Sequence, residues 1–469
     1  MQTGGALLEL VARGKKDALL AATSAGGVLG VVGKEEVGGG LLYAQAPPPP
    51  RLAPTLGELR HREPRNAPRW GGHVDFEVEG GVGDVLREPT LLIELPPLVA
   101  PEAASLARST PVGAPPRVLH AESDTVVGYA PNVALRLVRL VQLFVDTNVV
   151  QEWWGAHGEA VRREEEGSEA TAPVVAVAEG WHDGSPSALC KASAPPPLRL
   201  RLSLLDGGDL PLCAFSGRQT LRLRVHLSPL ADCLAAVHAG SGAPTALPPD
   251  DGAPLTAFTP RYDTPFSDEV STRRVGNPRR ATLPPPTLTL RTRAVYMRSD
   301  ARELLNAGTW RVPFATVLRT AAEVEPTPGG TSTLPLVDVV GAVGRLLIVV
   351  PPAAAKCGVT LQGAALLLGD KVRVPFLSSA VHGVLTPYFK GARSAGGGAL
   401  WLTFAGACGS NRGGPTGTLS LSRADKAAVV VQWGPGTTTP RPPHVPALLV
   451  FAEVWNVWEY GAGFGRVAC

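Results

Sequence analysis

Short runs in which apolar and polar residues alternate recur along this chain, and glycine or proline interrupts them repeatedly. A period of two sends successive side chains to opposite faces of a β-strand, so such a segment can bury one face and leave the other to water. In His73–Val78, Val74, Phe76 and Val78 form one set, and Asp75 and Glu77 fall in the other. The runs 198–205 (LRLRLSLL), 221–227 (LRLRVHL) and 287–297 (TLTLRTRAVYM) alternate in the same way, and their arginines are expected to face outward. Proline removes a backbone donor and fixes φ, while glycine relieves tight turns. With 53 glycines and 46 prolines among 469 residues, these two types exceed one residue in five, against an average of about 12%. Short strands joined by irregular loops satisfy that balance and long helices do not. The pattern continues through 310–318, 346–350, 360–368, 400–404, 418–421, 428–433 and 447–457, and evenly spaced short strands of this kind indicate β-sandwich modules. The predicted class is all-β.

Between the runs the chain changes character. Residues 4–20 (GGALLELVARGKKDALL) read as an amphipathic opening, followed by the proline spacer Pro47–Pro50 and a basic, proline-rich stretch at 51–72 that is expected to be an exposed loop. Residues 132–150 read as paired strands with Asp146, Thr147 and Asn148 at the turn, and 334–350 read as a second strand pair. Two segments low in periodicity, 155–197 (with Glu164–Glu166) and 231–285, are expected to be long surface excursions. Residues 300–306 predict a short helix capped by Ser299. The glycines at 461, 463 and 465 are expected to lie in a flexible tail, since a phosphate cradle needs a following helix and the sequence given stops four residues later.

Function classes fall away on chemical grounds. The net charge of +3 lacks the concentrated basic face of a nucleic-acid binder, and Arg273, Arg274, Arg279 and Arg280 sit among Pro, Gly and Ser as a solvated loop would. Cys190, Cys213, Cys233, Cys357, Cys408 and Cys469 show no Cys-x-x-Cys spacing, so reduced thiols are expected rather than a zinc or redox site. No secretory signal is read at the N-terminus, and no run approaches the roughly 18 apolar residues of a membrane span. Gly33-Lys34 is followed by Glu35 where a P-loop has Ser or Thr, and Asp206-Gly207-Gly208-Asp209 offers too few oxygens for calcium. The Gly409–Gly413 stretch puts its serine one place early for a nucleophile elbow. Trp153, Trp154, Trp433, Trp455 and Trp458 could form a sugar platform, but core and interface packing suits large aromatics better. No catalytic residue, cofactor or metal is expected, and the chain does not read as an enzyme.

Several segments resemble the major capsid proteins of nucleocytoplasmic large DNA viruses, the family of algal-virus and iridovirus shells. Gly5–Gly14 with Asp17 resembles that family's Gly-rich start, and Gly83-Asp84-Val85-Leu86 with the apolar 91–95 resembles its Gly-Asp-Leu-Ile turn and next strand. Residues 141–154 (VQLFVDTNVVQEWW), Leu210-Pro211-Leu212 with 221–227, and 287–306 are similar to successive segments of the same family. Gly417–Asp425 (GTLSLSRAD) resembles its Asn-Phe-Ser-Arg segment, with Leu419 or Ser420 where the family has asparagine. Ala452–Trp458 with the trailing glycines resembles the family ending, with Trp455 replacing its tyrosine. The matches fall in family order and span almost the whole chain.

That resemblance implies two tandem eight-stranded antiparallel jelly rolls joined by a short helix. The expected divisions are an N-terminal arm at 1–25, a first jelly roll at 26–298, a helical linker at 299–306 and a second jelly roll at 307–469. It further implies a structural capsid protein whose homotrimers form pseudo-hexameric capsomers of an icosahedral shell. The partners would be further copies of itself, neighbouring capsomers, minor capsid proteins and the internal viral membrane side, with no specific nucleic acid and no small-molecule substrate. The location would be the virion capsid, assembled in the host cell cytoplasm. The alternatives are a minor capsid or scaffold protein of the same fold, or a β-sandwich carbohydrate-binding protein.

Overall fold

The alternating runs form strands whose apolar sets face one another. The computed structural model describes residues 56–78, 83–98, 125–165, 177–202, 219–238, 284–296, 310–321, 324–351, 358–369, 371–382, 399–404, 418–421, 426–435, 448–461 and 464–467, with a few isolated positions between them. The strands up to residue 296 are β1 (Leu56–Arg62), β2 (His73–Val78), β3 (Val85–Glu94), β4 (Thr125–Tyr129), β5 (Val138–Val145), β6 (Asn148–Trp154), β7 (Leu198–Arg201), β8 (Leu221–Leu227), β9 (Leu234–His238) and β10 (Thr287–Tyr296). Among the described residues three short α-helices intervene: α1 (Val133–Leu137), α2 (Gly155–Glu165) and α3 (Pro186–Ala192). The second half supplies β11 (Trp310–Ala321), β12 (Thr331–Pro335), β13 (Ala342–Val349), β14 (Leu361–Leu368) and β15 (Lys371–Ser378). It continues with β16 (Ala399–Thr403), β17 (Leu419–Ser420), β18 (Ala427–Trp433), β19 (Leu449–Gly461) and β20 (Phe464–Val467).

The strand order repeats. In the first half the sheets are β1-β10-β3-β7 and β2-β8-β5-β6, with β4-β9 as a separate pair. In the second they are β11-β19-β13-β16 and β12-β18-β14-β15, with β17 and β20 attached to β13 and β19. If the eight sheet-forming strands of each half are counted from its start, both halves read 1-8-3-6 and 2-7-4-5. Two four-stranded antiparallel sheets wound in this order make a jelly roll, so the chain holds two jelly rolls in tandem. Of the expected joining helix only Ser299, Arg302 and Glu303 are described, each helical.

Each roll has an apolar interior, and Phe314 (β11) and Trp458 (β19) of the second roll join the cluster of the first. Val74 and Phe76 (β2), Leu91 and Ile93 (β3), Val141 (β5), Leu200 (β7), Val225 (β8) and Leu290 (β10) are buried between the first two sheets. Leu346 and Ile348 (β13), Leu366 (β14), Val429, Val431 and Trp433 (β18) and Val450 (β19) do the same in the second roll. Each such side chain contributes about 1.5–3 kcal/mol on leaving water. The outer face of β2-β8-β5-β6 is polar and self-paired: Arg224 donates twice to Asp75, at 2.7 and 2.9 Å, and Gln142 bridges His226 and Glu152.

Several expectations are corrected. The stretch 51–72 is not all loop, because Leu56–Arg62 pairs with β10 as an edge strand. The described parts of 155–197, residues 155–165 and 177–197, are not a surface excursion: α2 and α3 pack inward, with Ala160 and Leu189 buried. Helices of this length, each buried along a narrow stripe, leave little periodicity to read. Close approach explains one glycine here, since a Cβ on Gly128 of β4 would lie 2.1 Å from the Leu189 carbonyl oxygen. Residues 234–238, assigned to the second excursion, form β9 on β4. The strands within 334–350 do not pair with each other; β12 and β13 belong to opposite sheets of one roll. The glycine-rich end is a hairpin, with Phe464–Val467 folded back on β19. Of the paired strands read over 132–150, β5 and β6 pair and the turn at Asp146 stands, with φ 55°, a left-handed conformation that aspartate tolerates, but Val133–Leu137 forms α1 rather than strand. The N-terminal arm, the prolines 47–50, and residues 206–209, 273–280 and 409–413 lie outside the described residues.

Candidate functional site

The two rolls meet where the end of β6 and the start of α2 lean on the outer face of β11-β19-β13-β16. Chain direction sets this up. β6 is an edge strand, and its edge reaches β11 through side chains: Gln151 donates to the Ala315 carbonyl at 2.7 Å, Trp154 Nε1 to the Val317 carbonyl at 3.0 Å, and the Glu152 amide to Thr316 Oγ1 at 3.0 Å. Beyond Trp154 the chain turns into α2, whose Ala156, Ala160 and Val161 pack on Val317, Leu347, Trp401, Leu449 and Phe451. Alternation explains the apolar patch. Leu346 and Ile348 face the second roll's interior, so Leu347 must face out, and Leu400 and Leu402 likewise turn Trp401 outward.

A charged cluster is enclosed in this apolar contact. Glu453 of β19 accepts from the Arg345 Nε of β13 on one oxygen and from His157 Nε2 of α2, at 2.8 Å, on the other. Because an ionised carboxylate only accepts, the His157 proton resides on Nε2. The Arg345 guanidinium carbon lies 4.5 Å from the Trp401 ring centroid, and His157 meets Trp401 and Phe451 edge-on at 6.4 and 5.9 Å. Burial by itself would raise the Glu453 pKa, but the Arg345 charge and the His157 hydrogen bond outweigh it and hold the carboxyl at about 2. Arg136 of α1 reaches Glu159 of α2 at 3.3 Å, which ties the helix back to its own roll. What this arrangement supplies is adhesion with a fixed geometry.

Gly155 makes the turn possible. A Cβ there would sit 2.0 Å from both the Leu135 and Val138 carbonyl oxygens. Gly155→Ala is therefore expected to shift α2 and cost about 1–3 kcal/mol, measured by urea unfolding with intrinsic tryptophan fluorescence as the readout. A variant as stable as the parent would contradict the contact.

No protein-family model and no curated protein matches the sequence. Solved structures do. The PBCV-1 virus capsid, in its quasi-atomic model, aligns with a TM-score of 0.62 at 13% identity, covering 89% of this chain and 98% of that chain. The crystal structure of PBCV-1 VP54, fitted into a reconstruction of the virophage Sputnik, aligns with a TM-score of 0.60 at 12% identity, with the same coverage of 89% and 98%. The Faustovirus major capsid protein aligns with a TM-score of 0.52 at 10% identity, covering 87% of this chain and 90% of that chain. The chain has the double-jelly-roll fold of these capsid proteins.

Within the double jelly roll, the tryptophans considered as a sugar platform are scattered. Trp153 belongs to the first core, which Trp458 of β19 joins from the second roll; Trp433 belongs to the second core, Trp455 packs apart from these against Ala342 and Val457, and Trp154 lies in the junction, tilted against Phe451 and under Arg319. Among the described residues, no group of three or more His, Cys, Asp or Glu could hold a metal ion, and no helix is long and apolar enough to cross a membrane. Sequence reasoning missed His157, Arg345 and Glu453. A signal was present in two of them: Arg345 interrupts AVGRLLIV and Glu453 interrupts LVFAEVW. A charge inside an apolar strand needs an opposite charge nearby.

Proposed function

We propose that this chain is the structural subunit of an icosahedral shell of a large double-stranded DNA virus, with three copies forming one pseudo-hexameric capsomer. One observation carries the reading: the same eight-stranded order occurs twice, and the two rolls are clamped together by a shared apolar and ionic contact. Two rigid, similar sandwiches per chain make six per trimer, which approximates a hexagonal tile. Obligate interfaces of this kind bury roughly 2,000 Å² or more. On this reading the rolls span 26–298 and 307–469, residues 1–25 reach a neighbouring subunit or a minor capsid protein, and the assembled location is the virion.

Light scattering coupled to size-exclusion chromatography tests it. The expected mass is three times the 48.8 kDa of the chain, with hexagonal outlines in negatively stained images. A monomer that persists at micromolar concentration would overturn the reading. Abundance separates a major from a minor role, since a major shell subunit dominates the stained gel of purified virions.

A further inference from the structure

At the seam between the rolls, Leu140 of β5 and Trp154 of β6 stand opposite each other on the outer face of the first roll. Arg139 precedes Leu140 at the irregularity where β5 shifts register against β8, and it is exposed. From the second roll, Arg319 of β11 lies over the Trp154 ring, its guanidinium carbon 5.1 Å from the centroid. Stacking occupies the face of a guanidinium and leaves its in-plane N–H groups to donate. Among the described residues no carboxylate meets either arginine, and Arg319 Nε is buried without an acceptor. The acids of this face are engaged elsewhere, Glu152 by Gln142 and Asp75 by Arg224. Burial, and then the Arg139 charge, push the Arg319 pKa below its ordinary value. Two cations from different rolls are thus brought to one tryptophan, and a partly buried charge is costly unless an opposite one accompanies it.

We propose that Arg139 and Arg319 hold a phosphate ion at the seam, one arginine from each roll, so that a small anion ties the rolls together. The occupant follows from charge and shape. A phosphate near neutral pH carries up to two negative charges, enough to offset both arginines. Its tetrahedral oxygens can serve guanidinium forks from two strands at once, whereas a carboxylate presents its pair in one plane. With the ion bound, a repulsion across the seam becomes a bridge. An ion that binds only the docked rolls also stabilises them as its concentration rises. Both arginines belong to one chain, so the site stands apart from the capsomer reading.

Isothermal titration calorimetry with inorganic phosphate, at an ionic strength held constant with sodium chloride, compares the full chain with Arg139→Gln, Arg319→Gln and Arg199→Gln. The last removes the same charge from an exposed position of β7, in the other sheet of the first roll. The expected result is one phosphate per chain, a loss of affinity of about tenfold or more in R139Q and in R319Q, and none in R199Q. Thermal melting is the second readout. Phosphate should raise the melting temperature of the parent and R199Q and leave R139Q and R319Q unmoved. In phosphate-free buffer R139Q should melt no lower than the parent, since it loses only a repulsion. If R319Q fails to fold, R139Q decides alone. A parent that binds no phosphate would overturn the site. So would equal binding by all four proteins, which marks an adventitious ion only, or an R139Q that melts early with its phosphate response intact. Phosphatidylcholine vesicles containing phosphatidic acid complete the test: binding to them without binding of inorganic phosphate would overturn the free-ion assignment in favour of a headgroup.

Discussion

Replacing Glu453 by glutamine will destabilise the protein by about 3–5 kcal/mol, because it removes one member of a buried ion pair and keeps the other. Arg345 would remain buried over Trp401 without its carboxylate, and His157 would face an amide. The loss is a junction loss, since all three side chains lie outside the cores of the rolls. Its pH dependence identifies it. The Glu453 carboxyl titrates at about 2 in the folded protein, against an ordinary value of 4.5. A depressed carboxyl contributes stability that is complete above the unfolded value and is lost as pH falls toward the folded one. The stability gap between the parent and E453Q should therefore be full at neutral pH and narrow as pH drops from about 5 to about 2, on the order of a few kcal/mol in all. Guanidinium titrations at several pH values measure it. A gap that stays constant through that window would show that the carboxylate does not anchor the junction.

Trp401→Ala is expected to cost about 3–5 kcal/mol, the range for truncating a buried aromatic, and to do so between the rolls rather than within one. Trp401 is fully buried, yet its neighbours Leu400 and Leu402 point into the second roll while it points to α2. Its removal empties the space under Arg345 and beside His157. Trp433→Ala is the comparison: Trp433 is equally buried but belongs to the second roll's interior, where its indole donates to Ser332 Oγ at 2.8 Å. Calorimetry should resolve two separate transitions in W401A, one for each roll, whereas W433A should lower the second roll's transition specifically. One sharp transition in W401A at the parent's temperature would remove the junction from its proposed role as coupler.

The same alternation that makes a strand readable also sets the limits of reading. β2, β8 and β10 each bury one face and wet the other, so their patterns survive in the sequence. β1 and β15 are edge strands with little or no burial: LGELRHR carries no comparable alternation, and in KVRVPFLS Val372, Val374 and Phe376 alternate with Lys371, Arg373 and Pro375 although none of them is buried. α2 escaped notice because glycine, histidine and paired charges give it a weak apolar stripe, and its small buried residues meet a surface contributed by the other roll. The three members of the charged cluster lie 296 and 108 positions apart in the chain. No local pattern can register a pairing at that distance.

The amino-acid order alone determined that this would be a β-sandwich protein, which residues of the alternating strands would turn inward, and, through family-like segments in family order, that the sandwiches would be tandem jelly rolls. The first two follow from local geometry, since the period of two is a property of the strand itself, whereas the tandem jelly rolls were implied by the resemblance alone. Tertiary structure alone decided which strands became neighbours, that β12 and β13 part to opposite sheets, and that Arg345, His157 and Glu453 converge between the rolls. Each of these depends on bringing distant segments together. The free energy that selects such contacts comes from apolar surface and charge shared between elements, which no single segment possesses by itself.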